Sequence, residues 1–408
     1  MHLLTAHPPS NSSASNRTIP TTTTNKPPLI LLIHGFPEIA YSWRKVMLPL
    51  SQMGNGYLVV APDLRGYGQT IQLNRTDPTS KITYDDDLSP YRMMNMVSDV
   101  VALVYALGYN QVDMLVGHDI GSGIASYCAL LRPDIFKSLA MLSVPFAGPP
   151  LFSSLNSTWN SSETTLQELD EALRKLEEPK KHYMVYFSSP EADGNLSHPP
   201  QGVRNFTKAY YFMKSTGWAG NSRPHAVNSS DLASIASNTT IEAQALAQIM
   251  PPYYIMPSNQ TMPGTVSSFS PTPDEIKQQE AWLPDDELEV YISTYNRTGF
   301  QGGLNYYRGQ SSSPVWMDDI NKLAAGKKVE VPAMFLAGKE DWGAYLFPGV
   351  LERMRNDTIS SMGEAKNVFE KMREEDLVLI EGAGHWLQQE KPDEVVEHLK
   401  RFISETRS

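Results

Sequence analysis

The chain has 408 residues, 41% of them hydrophobic and 19% charged, a balance that excludes intrinsic disorder and leaves ample material for a core. A formal net charge of −11 excludes a nucleic-acid partner, because a phosphate backbone would be repelled and no Lys/Arg run reverses that. Cys128 is the single cysteine, so no intrachain disulfide can form, and its apolar neighbours read as a buried helix with an inert thiol.

No apolar run reaches the length of a transmembrane helix, about 18 residues. The opening MHLLTAHPPS lacks the basic and long apolar regions of a signal peptide. Against that stand the Asn-X-Ser/Thr triplets. They begin at Asn11, Asn16, Asn74, Asn156, Asn160, Asn195, Asn205, Asn228, Asn238, Asn259, Asn296 and Asn356, roughly four times the chance frequency for this Ser and Thr content. Two readings follow. One is a secreted glycoprotein modified at such positions as Asn156, Asn195, Asn228, Asn238 and Asn259. The other is a cytoplasmic chain whose triplets are never used.

Residues 8–28 are rich in Pro, Ser, Thr and Asn and read as a lead-in without core. Leu29 to Ile33 is then a continuous apolar run ending at a Gly/Pro turn, as in a strand buried on both faces of a parallel sheet. Similar runs follow at Leu58–Ala61, Met114–Val116, Leu139–Leu142, Ala333–Ala337 and Leu377–Ile380. Between them, Pro90–Leu107, Ser122–Leu131 and Pro392–Ile403 carry helical spacing. Strands alternating with helices predict a doubly wound α/β sheet. The alternation lapses from about Gly148 to Pro314, too long for a structureless loop. A mostly helical lid is expected there, with helices at Glu168–Leu176 and Gly202–Ser215 and an ambiguous stretch from Pro224 to Pro273. The organisation is therefore a lead-in with a remnant edge strand (1–28), a first core part (29–147), the lid (148–313) and a second core part (314–408).

Gly117-His118-Asp119-Ile120-Gly121 lies between a strand and a helix. A nucleophile elbow needs that setting, with small residues two before and two after the tip. Asp119 would then sit over a helix N-terminus, which favours its anion. The bland alternative is a glycine-rich turn with an Asp cap. Three further motifs weigh against it. His34-Gly35-Phe36-Pro37 follows a buried strand, and the amide of Phe36 can pair with that of Ile120 to hold an oxyanion. GAGHW places His385 past the last strand as a general base. Gly338-Lys339-Glu340-Asp341 offers Asp341 to orient that imidazole, with Glu340 as an adjacent rival.

HGFP, DLRGYG (Asp63–Gly68), GHDIGSG and GAGHW in this order resemble the epoxide hydrolases of the α/β-hydrolase superfamily, from Leu29 to Ile403. Inside the lid, Tyr183-Met-Val-Tyr-Phe and Phe300-Gln-Gly-Gly-Leu-Asn-Tyr-Tyr-Arg308 are similar to the family's two lid motifs. The resemblance implies that Tyr183 and Tyr307 bind the epoxide oxygen, with Tyr186 and Tyr306 as their rivals. It implies attack by Asp119 on an epoxide carbon, an ester intermediate, and hydrolysis by water activated by His385. The partners are then an apolar small-molecule epoxide and water, with no cofactor and no metal, the histidines forming no ligand cluster such as H-E-x-x-H. Trp43 and Trp342 are expected at the substrate pocket or in the core.

Hydrolytic dehalogenation is the rival enzyme reading. The haloalkane dehalogenases it would resemble often carry a Trp after the nucleophile, where this chain has Ile120. A non-catalytic hydrolase-like binding protein is the rival from another class. Two departures stand out. Only Met1–Thr5 can supply a strand before LILLIHGFP, where the family has two more, so the start reads as truncated or mis-assigned with an exposed sheet edge. The lid is also long, its excess near Pro224–Asp286 implying a modified entrance or a larger pocket.

Overall fold

The computed structural model describes residues 1–9, 26–70, 80–149, 165–227, 234, 238–311, 315–354 and 368–406. Its strands in chain order are β1 (Leu3–Ala6), β2 (Leu29–Ile33), β3 (Leu58–Pro62), β4 (Met114–His118), β5 (Leu139–Leu142), β6 (Lys180–His182), β7 (Ile255–Pro257), β8 (Val329–Gly338), β9 (Phe369–Lys371) and β10 (Leu377–Ile380). The main sheet runs β1-β3-β2-β4-β5-β8-β10, with β9 beside β8. All its pairings are parallel except β1 on β3. This is the α/β-hydrolase fold.

The continuous apolar runs are strands because both sheet faces are buried. Leu29, Leu31 and Ile33 of β2 point into one core layer, against the helices Met93–Ala106 and Ile120–Leu131. Ile30 and Leu32 point into the other, against the helices Arg44–Ser51 and Pro392–Thr406. Full burial of such a side chain stabilises by about 1.5–3 kcal/mol. The edge is better covered than the sequence implied. Met1–Thr5 does supply a strand, and the antiparallel β1 shields β3 with the register Leu3 to Pro62 and Ala6 to Val59. The His2 imidazole fixes its end on Asp63 at 2.7 Å.

Between β5 and β8 the described residues form a layer of helices: Leu166–Arg174, Tyr183–Phe187, Ala192–Ser197, Gly202–Met213, Thr239–Ile249, Met262–Ser267, Pro273–Glu280, Asp285–Thr298 and Gln301–Ser311. Local sequence marks their starts. Thr165 with Glu168, and Thr272 with Glu275, form reciprocal capping boxes, and the Asn238 side chain accepts from Thr240 and Ile241. The ambiguous stretch Pro224–Pro273 resolves in part into two of these helices and into β7, which pairs antiparallel with β6. The layer is thus not purely helical.

Of the glycosylation candidates, Asn238 and Asn259 are exposed, Asn195 is half-buried within a short helix, and Asn156 and Asn228 lie outside the described residues. No helix among the described residues is long and apolar enough to cross a membrane.

Candidate active site

Every predicted core-domain site residue follows the carboxyl end of a strand, where open α/β sheets gather their loops. Phe36 comes after β2, Asp119 after β4, Asp341 after β8 and His385 after β10. Asp119 occupies φ 53°, ψ −122°, a conformation L-residues rarely adopt. The flanking glycines permit it. A Cβ on Gly117 would lie 2.1 Å from the Gly121 carbonyl oxygen, and one on Gly121 would lie 2.4 Å from that of Ile33.

The two carboxylate oxygens of Asp119 have different surroundings. Oδ1 accepts the Phe36 amide at 3.0 Å, while Oδ2 lies 3.5 Å from His385 Nε2. Burial alone would raise this carboxyl. The adjacent His385 imidazole, with the charges of Lys214 and His118, instead holds it well below the usual carboxylate range. His385 Nδ1 faces Asp341 at 3.3 and 3.4 Å. Asp341 is buried, and burial is again outweighed by His385, Ser143 and the Gly343 amide, so its carboxyl is lowered. Glu340, the rival acid, is partly buried with its carboxyl raised, first by desolvation.

The lid tyrosines meet above this point. The Tyr183 and Tyr307 rings are 5.8 Å apart, and Tyr307 lies edge-on to Phe36 at 5.4 Å. Gly302 makes that approach feasible, since a Cβ there would lie 1.9 Å from the Gly66 carbonyl oxygen. Burial pushes both phenols well above their ordinary value, and the Asp119 charge pushes the same way. They therefore keep their protons at neutral pH. The rivals are elsewhere. Tyr306 donates to the Arg65 carbonyl at 3.0 Å, and the Tyr186 ring sits beside the Lys181 ammonium.

Trp43 takes the core and not the pocket of its two expected places. It is fully buried in the layer with Ile30 and Leu32, on the opposite side of the sheet from the tyrosines, and lies edge-on to His118 at 6.5 Å. The turn after HGFP points it under the sheet, so it is core and not pocket. Trp342 is buried beside Asp341, its ring 5.5 Å from His225.

Four residues were missed by sequence reasoning. His118 Nδ1 lies 2.7 Å from Glu38 Oε2, and its Nε2 lies 2.8 Å from the His385 carbonyl. Glu38 Oε1 also accepts the side-chain amides of Gln388 and Gln389. Burial lowers His118, but Glu38 overcomes this and leaves it raised. Ser143, at φ 71°, donates to Asp341 at 2.5 Å and sits 2.8 Å from His385 Nδ1. Lys214 is buried, its ammonium among aromatic rings, and its carbonyl accepts the His385 amide at 2.8 Å. Glu38 and His118 adjoin the motifs that were read. Ser143 and Lys214 carry no local pattern. Among the described residues, no group of three or more His, Cys, Asp or Glu could hold a metal ion.

The fold and this site define an enzyme of the α/β-hydrolase class, with a carboxylate where the elbow presents its reactive group. Residues 28–176 match the α/β-hydrolase-fold family. Within that class the chain is similar to proteins named epoxide hydrolases. It is 28% identical over 382 residues to epoxide hydrolase 3 of Siraitia grosvenorii, covering 92% of each chain. Epoxide hydrolase A of Mycobacterium tuberculosis is 29% identical over 381 residues, 92% of this chain and 90% of that one. Among solved structures, potato (Solanum tuberosum) epoxide hydrolase I superposes with a TM-score of 0.62 at 29% identity, covering 93% of each chain. An epoxide hydrolase from an endophytic Streptomyces gives 0.62 at 28%, covering 94% of this chain and 90% of that one.

Proposed function

We propose that this protein hydrolyses an epoxide to a vicinal diol, without a cofactor, through a covalent ester on Asp119. The observation that carries the reading is a buried, ionised carboxylate facing two buried, protonated phenols. An epoxide carbon needs a nucleophile on one side and an acid at the oxygen that leaves. Oδ2 of Asp119 attacks the carbon, the C–O bond breaks, and Tyr183 or Tyr307 delivers its proton to the alkoxide.

The second step takes place at the carboxyl carbon of Asp119. His385 removes a proton from water, and Asp341 stabilises the resulting imidazolium. The new oxyanion forms on Oδ1, which the Phe36 amide already holds; the Ile120 amide at the helix start is its second donor. Each such donor is worth about 3–4 kcal/mol in comparable acyl chemistry. Collapse breaks the ester C–O bond, the leaving alkoxide takes the imidazolium proton, the proton of the new carboxylic acid returns to the phenolate, and Asp119 and the diol are released. The helical layer between β5 and β8 acts as the lid that carries the phenols and excludes bulk water, with Trp342 at its margin.

The test is a single turnover of a reactive aryl epoxide by wild type and by His385→Gln, followed by intact mass and peptide mapping. The reading requires an adduct on the Asp119 peptide that persists in the variant, with diol formed at full rate only by wild type. Diol formation without any adduct would overturn it.

A further inference from the structure

Lys214 ends the lid helix Gly202–Met213 and is 3% exposed. Its ammonium sits over four rings, 5.6 Å from the centre of Tyr210, 5.9 Å from Tyr253, 4.9 Å from Tyr254 and 5.4 Å from Trp386. Among the described residues it makes no ion pair or hydrogen bond at contact distance, and the carboxylates of Asp119, Asp341 and Glu38 act on it only through space. Aromatic faces supply electrostatic attraction, but they leave an ammonium's directed N–H donors unmet, which is costly in a buried place.

The cage is braced as a receptor would be. The Tyr253 hydroxyl donates to Asn221 Oδ1 at 2.7 Å, and the Asn221 amide donates to the carbonyls of Met213 and Ser215, on either side of Lys214. Trp386 Nε1 donates to the Tyr211 carbonyl at 2.9 Å, and its ring stacks on Tyr211 at 4.3 Å. Glu390 accepts the amides of Thr216, Gly384 and Trp386, tying the Lys214 turn to the His385 loop. The side chains that hold Lys214 are thus fixed before any ligand arrives.

The cage also adjoins the site. The Tyr254 ring is 5.0 Å from the Tyr183 ring and 4.9 Å from the ammonium, so the ammonium is at most about 10 Å from the centre of Tyr183. We propose that Lys214 is an anion-recognition residue that selects epoxides bearing a carboxylate within a few bonds of the oxirane. A carboxylate entering here supplies the missing acceptors as charge-assisted hydrogen bonds. The 10 Å limit distinguishes such a substrate from a long-chain acid whose carboxylate lies far from its epoxide. A role confined to holding Asp119 ionised would serve acidic and neutral epoxides alike, so the ratio of the two isolates recognition. The proposal rests on the epoxide-hydrolase reading of the same site.

The experiment compares phenylglycidate with its neutral methylamide in wild type, Lys214→Met and Lys214→Arg, with thermal unfolding of each variant recorded alongside. Wild type should favour the acid in kcat/KM by about 10- to 100-fold. K214M should slow both substrates through the loss of a positive charge near Asp119 and, beyond that, abolish the preference through the KM of the acid, while K214R should retain most of both. Mid-chain epoxystearate should gain nothing over its methylamide in wild type. Equal loss of both glycidyl substrates in K214M, or a wild-type ratio of one or less, overturns the proposal while leaving the hydrolase reading intact. A protein that opens none of these epoxides overturns both.

Discussion

In the proposed reaction Asp119 concentrates the chemistry, and its two oxygens make separable predictions. Asp119→Asn should lower turnover at least about a thousandfold while keeping the elbow geometry, which an assay beside a circular-dichroism spectrum checks. Removing one phenol leaves the other, so Tyr183→Phe and Tyr307→Phe should each slow ester formation by about a hundredfold, read in single turnovers. Ser143 bridges Asp341 and His385. Ser143→Ala should therefore slow ester hydrolysis about tenfold and leave ester formation unaffected; slowing of formation alone would contradict that role. The Asp119 carboxyl is lowered in the folded protein, so it contributes stability above its unfolded value, about 3.9, and loses it as pH falls through that region. The Tm advantage of wild type over D119N should accordingly shrink between pH 5 and 3. A gap that widens there would refute the assignment.

The same elbow shows which elements were legible in the sequence. Leu29–Ile33 and Met114–Val116 could only be buried strands, and the glycines around Asp119 could only be a tight strand-helix turn, because local sterics decide both. Asp119, Asp341, His385, Tyr183 and Tyr307 lie in such motifs, and the structure brings them together. Ser143 and Lys214 were silent because their significance comes from contacts nearly 200 residues away in one case, and from rings on three separate segments in the other. Trp43 was left open between pocket and core because a turn direction, which no periodicity encodes, decides the side of the sheet it faces. The lid stretch after Pro224 was ambiguous because its helices are short and broken by Pro, Ser and Asn. At this scale Gly117→Ala is the sharpest test. Its new Cβ would collide with the Gly121 backbone, so the variant should lose activity and several degrees of Tm together; an active, stable variant would mean that the elbow is looser than described.

Across the whole molecule, lid and core are sewn together at the site. The Arg44 guanidinium pairs with Glu287 and donates to Gln389, the Tyr211 hydroxyl donates to the Pro37 carbonyl, and the His385 amide donates to Lys214. One apolar cluster runs from Leu31 of the sheet to Tyr307 of the lid. Folding should therefore be one cooperative event, giving a single calorimetric transition, and Glu287→Gln should cost about 1–3 kcal/mol without splitting it. Two resolved transitions in the wild type would show that the lid folds independently.

The central claim is that water attacks the carboxyl carbon of Asp119 and never the substrate. A single turnover in oxygen-18 water, with enzyme in excess over epoxide, tests it most directly. The account predicts unlabelled diol and one labelled oxygen in the peptide that carries Asp119. Labelled diol with an unlabelled peptide would mean direct attack of water on the epoxide, and the covalent route described here would be wrong.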